Sequence, residues 1–203
     1  MAGKEMHAAG SPCCADSRRE QVIKAAADCF RQHGFHGAGM AGIAREAGMS
    51  VGHIYHYFAN KEAIIAAIVQ RDLADMLEKI AAFEAAEDVF RHLLDCVDEG
   101  VEMSIDPYEA GLWLEILSEA SRNPKVSAMV SEADAIVRAR FRNMLRNALQ
   151  TGWVQDEREL NGRVEIISAI FDGLIIRSVR NDDFDKEAIM RSLKMVMQYL
   201  LSA

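Results

Sequence analysis

Apolar residues recur along this chain at three- and four-residue intervals, and no stretch alternates apolar and polar positions long enough to predict a strand. Val22, Ile23, Ala26, Ala27 and Phe30 share one helical face. "SRRE" at 17–20 reads as a capping box opening that helix, and Gly34 closes it. Asn60 predicts a cap for a helix beginning at Lys61, and Asp106-Pro107 and Asn123-Pro124 each set a capping side chain before a proline at the first helical position. "TG" at 151–152 predicts a stop, and Asp183 or Asp185 a last start. The pattern predicts an all-α chain of about nine helices, over 17–33, 40–47, 51–58, 61–84, 87–103, 107–121, 124–150, 157–180 and 186–201.

Composition narrows the class. Of 203 residues, half are apolar and 27% charged, as in a soluble globular protein. No apolar run approaches the length of a membrane span, and the N-terminus lacks the apolar core of a secretory signal. A cytoplasmic location is therefore expected, with the four cysteines as reduced thiols. Segment 1–16, which holds the adjacent Cys13 and Cys14, is expected to be a disordered tail. The net charge of −8 divides unevenly: residues 1–62 carry 7 Lys/Arg against 6 Asp/Glu, and residues 63–203 carry 16 against 25. Five of the six histidines lie in the first part. Weak global acidity does not exclude nucleic acid when cationic and polar groups gather on one face.

That gathering is most pronounced in "IAREAGMSVGHIYHYFANKE" at 43–62. Met40, Ile43, Ala44 and Ala47 predict the inner face of a short helix. Gly48 suits the tight turn of a helix-turn-helix, and Ser50 can cap the next helix. Ile54 and Phe58 then point inward, leaving Val51, Gly52, His53, Tyr55, His56 and Tyr57 for other surfaces. A helix this short is marginal alone, and so many polar aromatic groups suit entry into a major groove.

The block from Arg19 to Ile64 resembles the DNA-binding domain of the TetR family of bacterial transcriptional regulators. The likeness rests on "AAADCF", "HGF" and "IAREAGMSVGHIYHYFANKEAI". It implies a helix-turn-helix DNA-binding domain over 17–62 and a regulatory ligand-binding and dimerisation domain over 63–203. It further implies that Val51, Gly52, His53 and His56 face base edges, that Tyr55 and Tyr57 contact phosphates, and that Lys61 meets a phosphate near its helix N-terminus. One departure stands out. Members of the family usually carry hydroxyl residues before the first short helix, where this chain has Ala38 and Gly39.

In residues 63–203 the segments 161–179 and 186–203 have apolar residues around more than one stripe. With Ile166, Ile170, Gly173, Leu174, Ile189, Leu193, Val196 and Leu200, they are expected to form a four-helix dimer contact, the arrangement the resemblance implies. The same resemblance implies a pocket for a small apolar or amphipathic effector within 87–150, with candidates Phe90, His92, Cys96, Met103, Trp113, Leu117, Phe141 and Met144. Expected partners are thus operator DNA, a second copy of the chain and a small-molecule effector, with no membrane. No catalytic or metal set is evident and no cofactor is expected: "GFHGAGMAG" follows a helix rather than a strand, unlike a nucleotide-binding loop. The expected function is a ligand-responsive repressor bound to a palindromic operator. The alternatives are a regulator of the same fold without small-molecule control and, less favoured, a helical enzyme.

Overall fold

A computed structural model describes residues 12–148, 156–181 and 183–202. Among them are ten helices and no strand: α1 Pro12–Gly37, α2 Met40–Glu46, α3 Val51–Tyr55, α4 Lys61–Glu84, α5 Val89–Asp95, α6 Val97–Ile105, α7 Pro107–Ala120, α8 Pro124–Ala148, α9 Glu157–Arg180 and α10 Lys186–Ser202. The chain divides into two compact units, Met1–Ala67 and Ile68–Ala203, with the division inside α4. The "TG" stop lies outside the described residues.

In the first unit α1 packs on α2, and α2 on α3. Val22, Ile23, Phe30, Ile43, Ile54 and Phe58 are all buried. One expectation about α1 changes. The helix starts at Pro12, so Ser17 lies inside it and caps nothing at a helix start; proline at the first helical position suits that earlier start. Gly34, at φ 70° and ψ 164°, is not helical: it ends the first helical run, as expected, and one further turn carries α1 on to Gly37. A φ of 70° is the left-handed region that glycine enters without penalty, and Phe35 and Ala38 beyond Gly34 are buried.

In the second unit α6 packs on α9 and α10, α7 on α8 and α9, and α8 on α9. One core joins Ile80, Leu93, Val97, Val101, Met144, Leu145, Leu160, Val164, Ile167, Leu193, Met197 and Leu201. The helix expected over 87–103 is two helices. Cys96, at φ −87° and ψ 0°, separates them, and α10 packs on both pieces. Gly100 permits the close approach of α6 to α9: a Cβ there would stand 2.9 Å from Phe171 Cε1. Side-chain carboxylates of Asp88, Asp106, Asp156 and Asp185 accept from backbone N–H groups at helix starts at 2.8–3.1 Å. Arg146 grips Glu157 through two nitrogens at 2.8 and 2.7 Å, and Lys194 reaches Asp98 at 2.7 Å. Such exposed pairs are each worth about 0–1 kcal/mol in general, so the apolar core dominates.

The residues expected at the dimer contact and around an effector differ in burial. Leu193 is 5% exposed and belongs to the core, not to an outward face. Ile170, Leu174, Ile189 and Leu200 also pack against that core, each half-buried. Ile166 and Val196 are exposed, and with them Ile176, Val179, Met195 and Tyr199, which are not among the residues expected at the dimer contact. Gly173 has open space over its Cα. The candidate effector residues differ in burial. Met144 is buried in the core, while Met103 and Leu117 are exposed, with Met103 Sδ beside Lys79 Nζ. Phe90 and Phe141 pack on the core, Trp113 is half-buried, and His92 meets Phe83 edge-on at 5.4 Å. Cys96 Sγ lies 3.9 Å from His92 Nε2. Burial, then Glu99 and Asp95, push its thiol pKa up, so it stays a neutral thiol. Crevices of about 500 and 510 Å³ lie along α9 and α10, one including Ile170, Phe184 and Ile189, the other Ile166 and Tyr199.

Candidate nucleic-acid interface

The turn between α2 and α3 is built from local rules. Gly39 caps α2 with backbone alone, as the absence of a hydroxyl there predicts. Gly48, at φ 62°, turns the chain in the left-handed region. Its N–H donates to Arg45 O at 3.1 Å, and Met49 N–H donates to Ala44 O at 2.9 Å. Gln21 Nε2 donates to Ala47 O at 2.8 Å, so α1 satisfies a carbonyl that the end of α2 leaves open. Ser50 Oγ then accepts from His53 N at 3.2 Å and opens α3.

Two anchors hold α3 to its unit. Ile54 is fully buried and Phe58 is 3% exposed, with the Arg19 guanidinium 5.1 Å from the Phe58 ring centroid. Everything else on α3 is turned out. Val51, Gly52, His53, Tyr55 and His56 are exposed, with Tyr55 at 52% and Val51 at 39%. Tyr57 is half-buried, and its hydroxyl stands 3.3 Å from His53 Nε2. The His53 and His56 rings meet edge-on at 6.3 Å. An array of ring nitrogens and hydroxyls on a one-turn helix offers donors and acceptors to base edges and phosphates together.

Lys61 is less free than its sequence position implies. Its ammonium donates to the Phe35 carbonyl and lies 4.3 Å from the Phe35 ring centroid. A lysine has three donors, so this contact leaves two for a phosphate. Asn60 Oδ1 accepts from Ala63 N at 2.9 Å, the cap expected for α4. His36, the other polar ring near this end of α1, is exposed and edge-on to Phe35 at 5.6 Å.

The comparisons with known proteins agree with this geometry. The model of the bacterial regulatory proteins of the tetR family matches residues 22–68, and that of the C-terminal part of BetI-type transcriptional repressors matches residues 84–202. The chain belongs to the TetR family. It is 27% identical over 176 residues to the HTH-type transcriptional regulator UidR of Escherichia coli K12, covering 86% of this chain and 87% of that regulator. Its fold resembles that of Salmonella enterica GusR, with a TM-score of 0.76 at 24% identity over 91% of this chain and 95% of that one. It also resembles FadR of Bacillus subtilis in complex with stearoyl-CoA, with a TM-score of 0.74 at 21% identity over 88% of this chain and 96% of that one. This TetR-family chain is a helix-turn-helix transcriptional regulator. Family and relatives are regulators rather than enzymes.

Proposed function

We propose that this regulator reads a two-fold symmetric operator as a homodimer and releases it when a small apolar or amphipathic effector binds the second unit. The observation that carries the DNA-reading part is the division of α3: Ile54 and Phe58 hold it, while Val51, Gly52, His53, Tyr55 and His56 are solvent-exposed. Val51, Gly52, His53 and His56 meet base edges, and Tyr55, Tyr57 and Lys61 meet phosphates. One α3 reads too few bases for a specific site, so a second copy is required, with half-sites about 34 Å apart or more.

The second copy docks on the outward stripe of α9 and α10. Ile166, Ile176, Val179, Met195, Val196 and Tyr199 are all more than two-fifths exposed, a concentration of apolar surface that a monomer rarely leaves open. An effector of apolar or amphipathic character accords with the stearoyl-CoA in the FadR neighbour. It acts through α4, which runs from Lys61 into the second unit. Its leverage equals its differential affinity for the DNA-competent and released states, typically about 1–3 kcal/mol. A second reading, a regulator without small-molecule control, is favoured by one observation: Met103 and Leu117 lie at the surface while Met144 is packed in the core.

Selection of bound sequences from a random duplex pool, repeated across salt concentrations, tests the DNA reading. A palindrome whose binding weakens steeply with salt is the expected result. Enrichment of a single asymmetric half-site would overturn the dimer, and no enrichment at any salt would overturn the role given to α3.

A further inference from the structure

Tyr57 and His53 stand one helical turn apart, and their side chains meet. The Tyr57 hydroxyl is 3.3 Å from His53 Nε2, with ring centroids 5.3 Å apart and planes at 47°. Ser50 holds the other end of His53 by accepting from its backbone N–H at 3.2 Å. His53 is exposed on a one-turn helix, where an untethered imidazole would sample several rotamers and both neutral tautomers. Fixing such a side chain only on arrival at DNA costs affinity, and a ring already held avoids most of that cost.

We propose that Tyr57 is a positioning residue for base reading: by holding Nε2 of His53, it decides what the remaining nitrogen, Nδ1, presents to a base. The inference rests on the DNA-reading role given to α3, with Tyr57 on a phosphate. A phosphate oxygen only accepts, so the Tyr57 O–H is its donor. The phenolic oxygen can then only accept from His53, and Nε2 carries the proton that it donates. In the neutral imidazole Nδ1 is therefore bare, an acceptor. A bare Nδ1 pairs with a base amino group, N6 of adenine or N4 of cytosine. It does not pair with N7 or O6 of guanine, the partners a donating histidine would choose. A phosphate contact, which carries no sequence information by itself, thereby selects the tautomer that reads the base.

The inference also distinguishes His53 from His56. The Tyr57 hydroxyl meets the ring nitrogen of His53, whereas the His56 ring meets only the edge of the His53 ring, with centroids 6.3 Å apart. Loss of the hydroxyl should therefore change preference at the base pair read by His53 and leave that read by His56 as it was.

The test compares duplex selection at pH 8 for the full chain and its variants Tyr57→Phe, His53→Ala and the pair together, each first checked for an unchanged melting curve. The position that His53→Ala flattens should prefer adenine or cytosine in the parent chain. In Tyr57→Phe, affinity should fall for every sequence, and preference at that same position should shrink by about five- to tenfold. In the paired variant, adding Tyr57→Phe should change preference no further. A uniform loss of affinity with the preference intact would make Tyr57 a phosphate contact only and overturn the proposal. Guanine at that position would overturn the tautomer assignment, as would ring nitrogen-15 shifts of the DNA complex with Nδ1 protonated. Failure of the parent chain to enrich any sequence would instead remove the DNA-reading role on which all of this rests.

Discussion

Gly100→Ala probes the packing of α6 on α9 with a single carbon. Inside a helix this substitution ordinarily gains about 0.5–1 kcal/mol, because alanine loses less backbone entropy on folding. At Gly100 the new Cβ would lie 2.9 Å from Phe171 Cε1 and 3.3 Å from Cζ. Either the ring turns or the helices part. Overpacking of this kind costs about 1–3 kcal/mol. Phe171 is only half-buried, so its ring has some room to yield, which favours the lower part of that range. The expected net effect is a loss of up to about 1.5 kcal/mol. Gly162, in α9, is the control: nothing lies within 4 Å of its added Cβ, and alanine there should gain about 0.5–1 kcal/mol. The same change thus has opposite signs at two sites. For a chain of this size the difference amounts to a few degrees in melting temperature, at about 2–4 °C per kcal/mol. Circular-dichroism melts at one fixed protein concentration would read it, because self-association makes the midpoint depend on concentration. Phe171→Leu in the Gly100→Ala background should recover part of the loss, measured as a double-mutant coupling. A Gly100→Ala midpoint raised as far as that of Gly162→Ala would refute the close contact and the packing argument built on it.

Ile54→Ala should cost about 2–5 kcal/mol, because it empties a fully buried site, whereas Tyr55→Ala should shift stability by less than about 0.5 kcal/mol and still weaken DNA binding. Melts and fluorescence anisotropy separate the two, and a Tyr55→Ala protein that binds DNA normally would remove this side chain from the interface. Asp172 has its pKa raised by desolvation and by Asp134, so its carboxylate is less favourable folded than unfolded. Wild-type stability should therefore fall as pH rises through the Asp172 pKa, Asp172→Asn should be the more stable protein at pH 7, and the difference should vanish near about pH 3. Urea melts across that range check the sign, and an Asn variant less stable at pH 7 would contradict it. Tyr199, 73% exposed on α10, should tolerate glutamate within the folded chain but lose the dimer, so that sedimentation of Tyr199→Glu reports monomer. An unaltered dimer would move the interface elsewhere.

Much of the reading unit is legible in the residues themselves. Gly48 needs the left-handed region, Ser50 and Asn60 cap the helices that follow them, and Ile54 and Phe58 fall inward at helical spacing. These are interactions within one or two turns, so spacing alone determines them. The exposed set on α3 follows by subtraction. The contact of Tyr57 with His53 has the right four-residue spacing for neighbours on a helix, but spacing does not say which rotamers meet.

What tertiary structure decided concerns helices with too many apolar residues. On α10, Leu193, Val196 and Tyr199 all satisfy a wide apolar stripe, yet Leu193 is 5% exposed and Tyr199 73%. Periodicity assigns residues to a face and does not say which neighbouring helix covers it. In the same way Met103, Leu117 and Met144 are equivalent as methionine or leucine on middle helices, and only packing sends Met144 to the core and the other two to solvent. The break at Cys96 is of this kind too. The residues 87–103 can form one helix by propensity, and the structure bends them where two pieces pack on α10. Local hydrogen bonding and apolar periodicity determined that this chain is helical and where it turns. Burial is a property of pairs of elements distant in sequence, so which apolar residues became core and which remained surface waited on the fold.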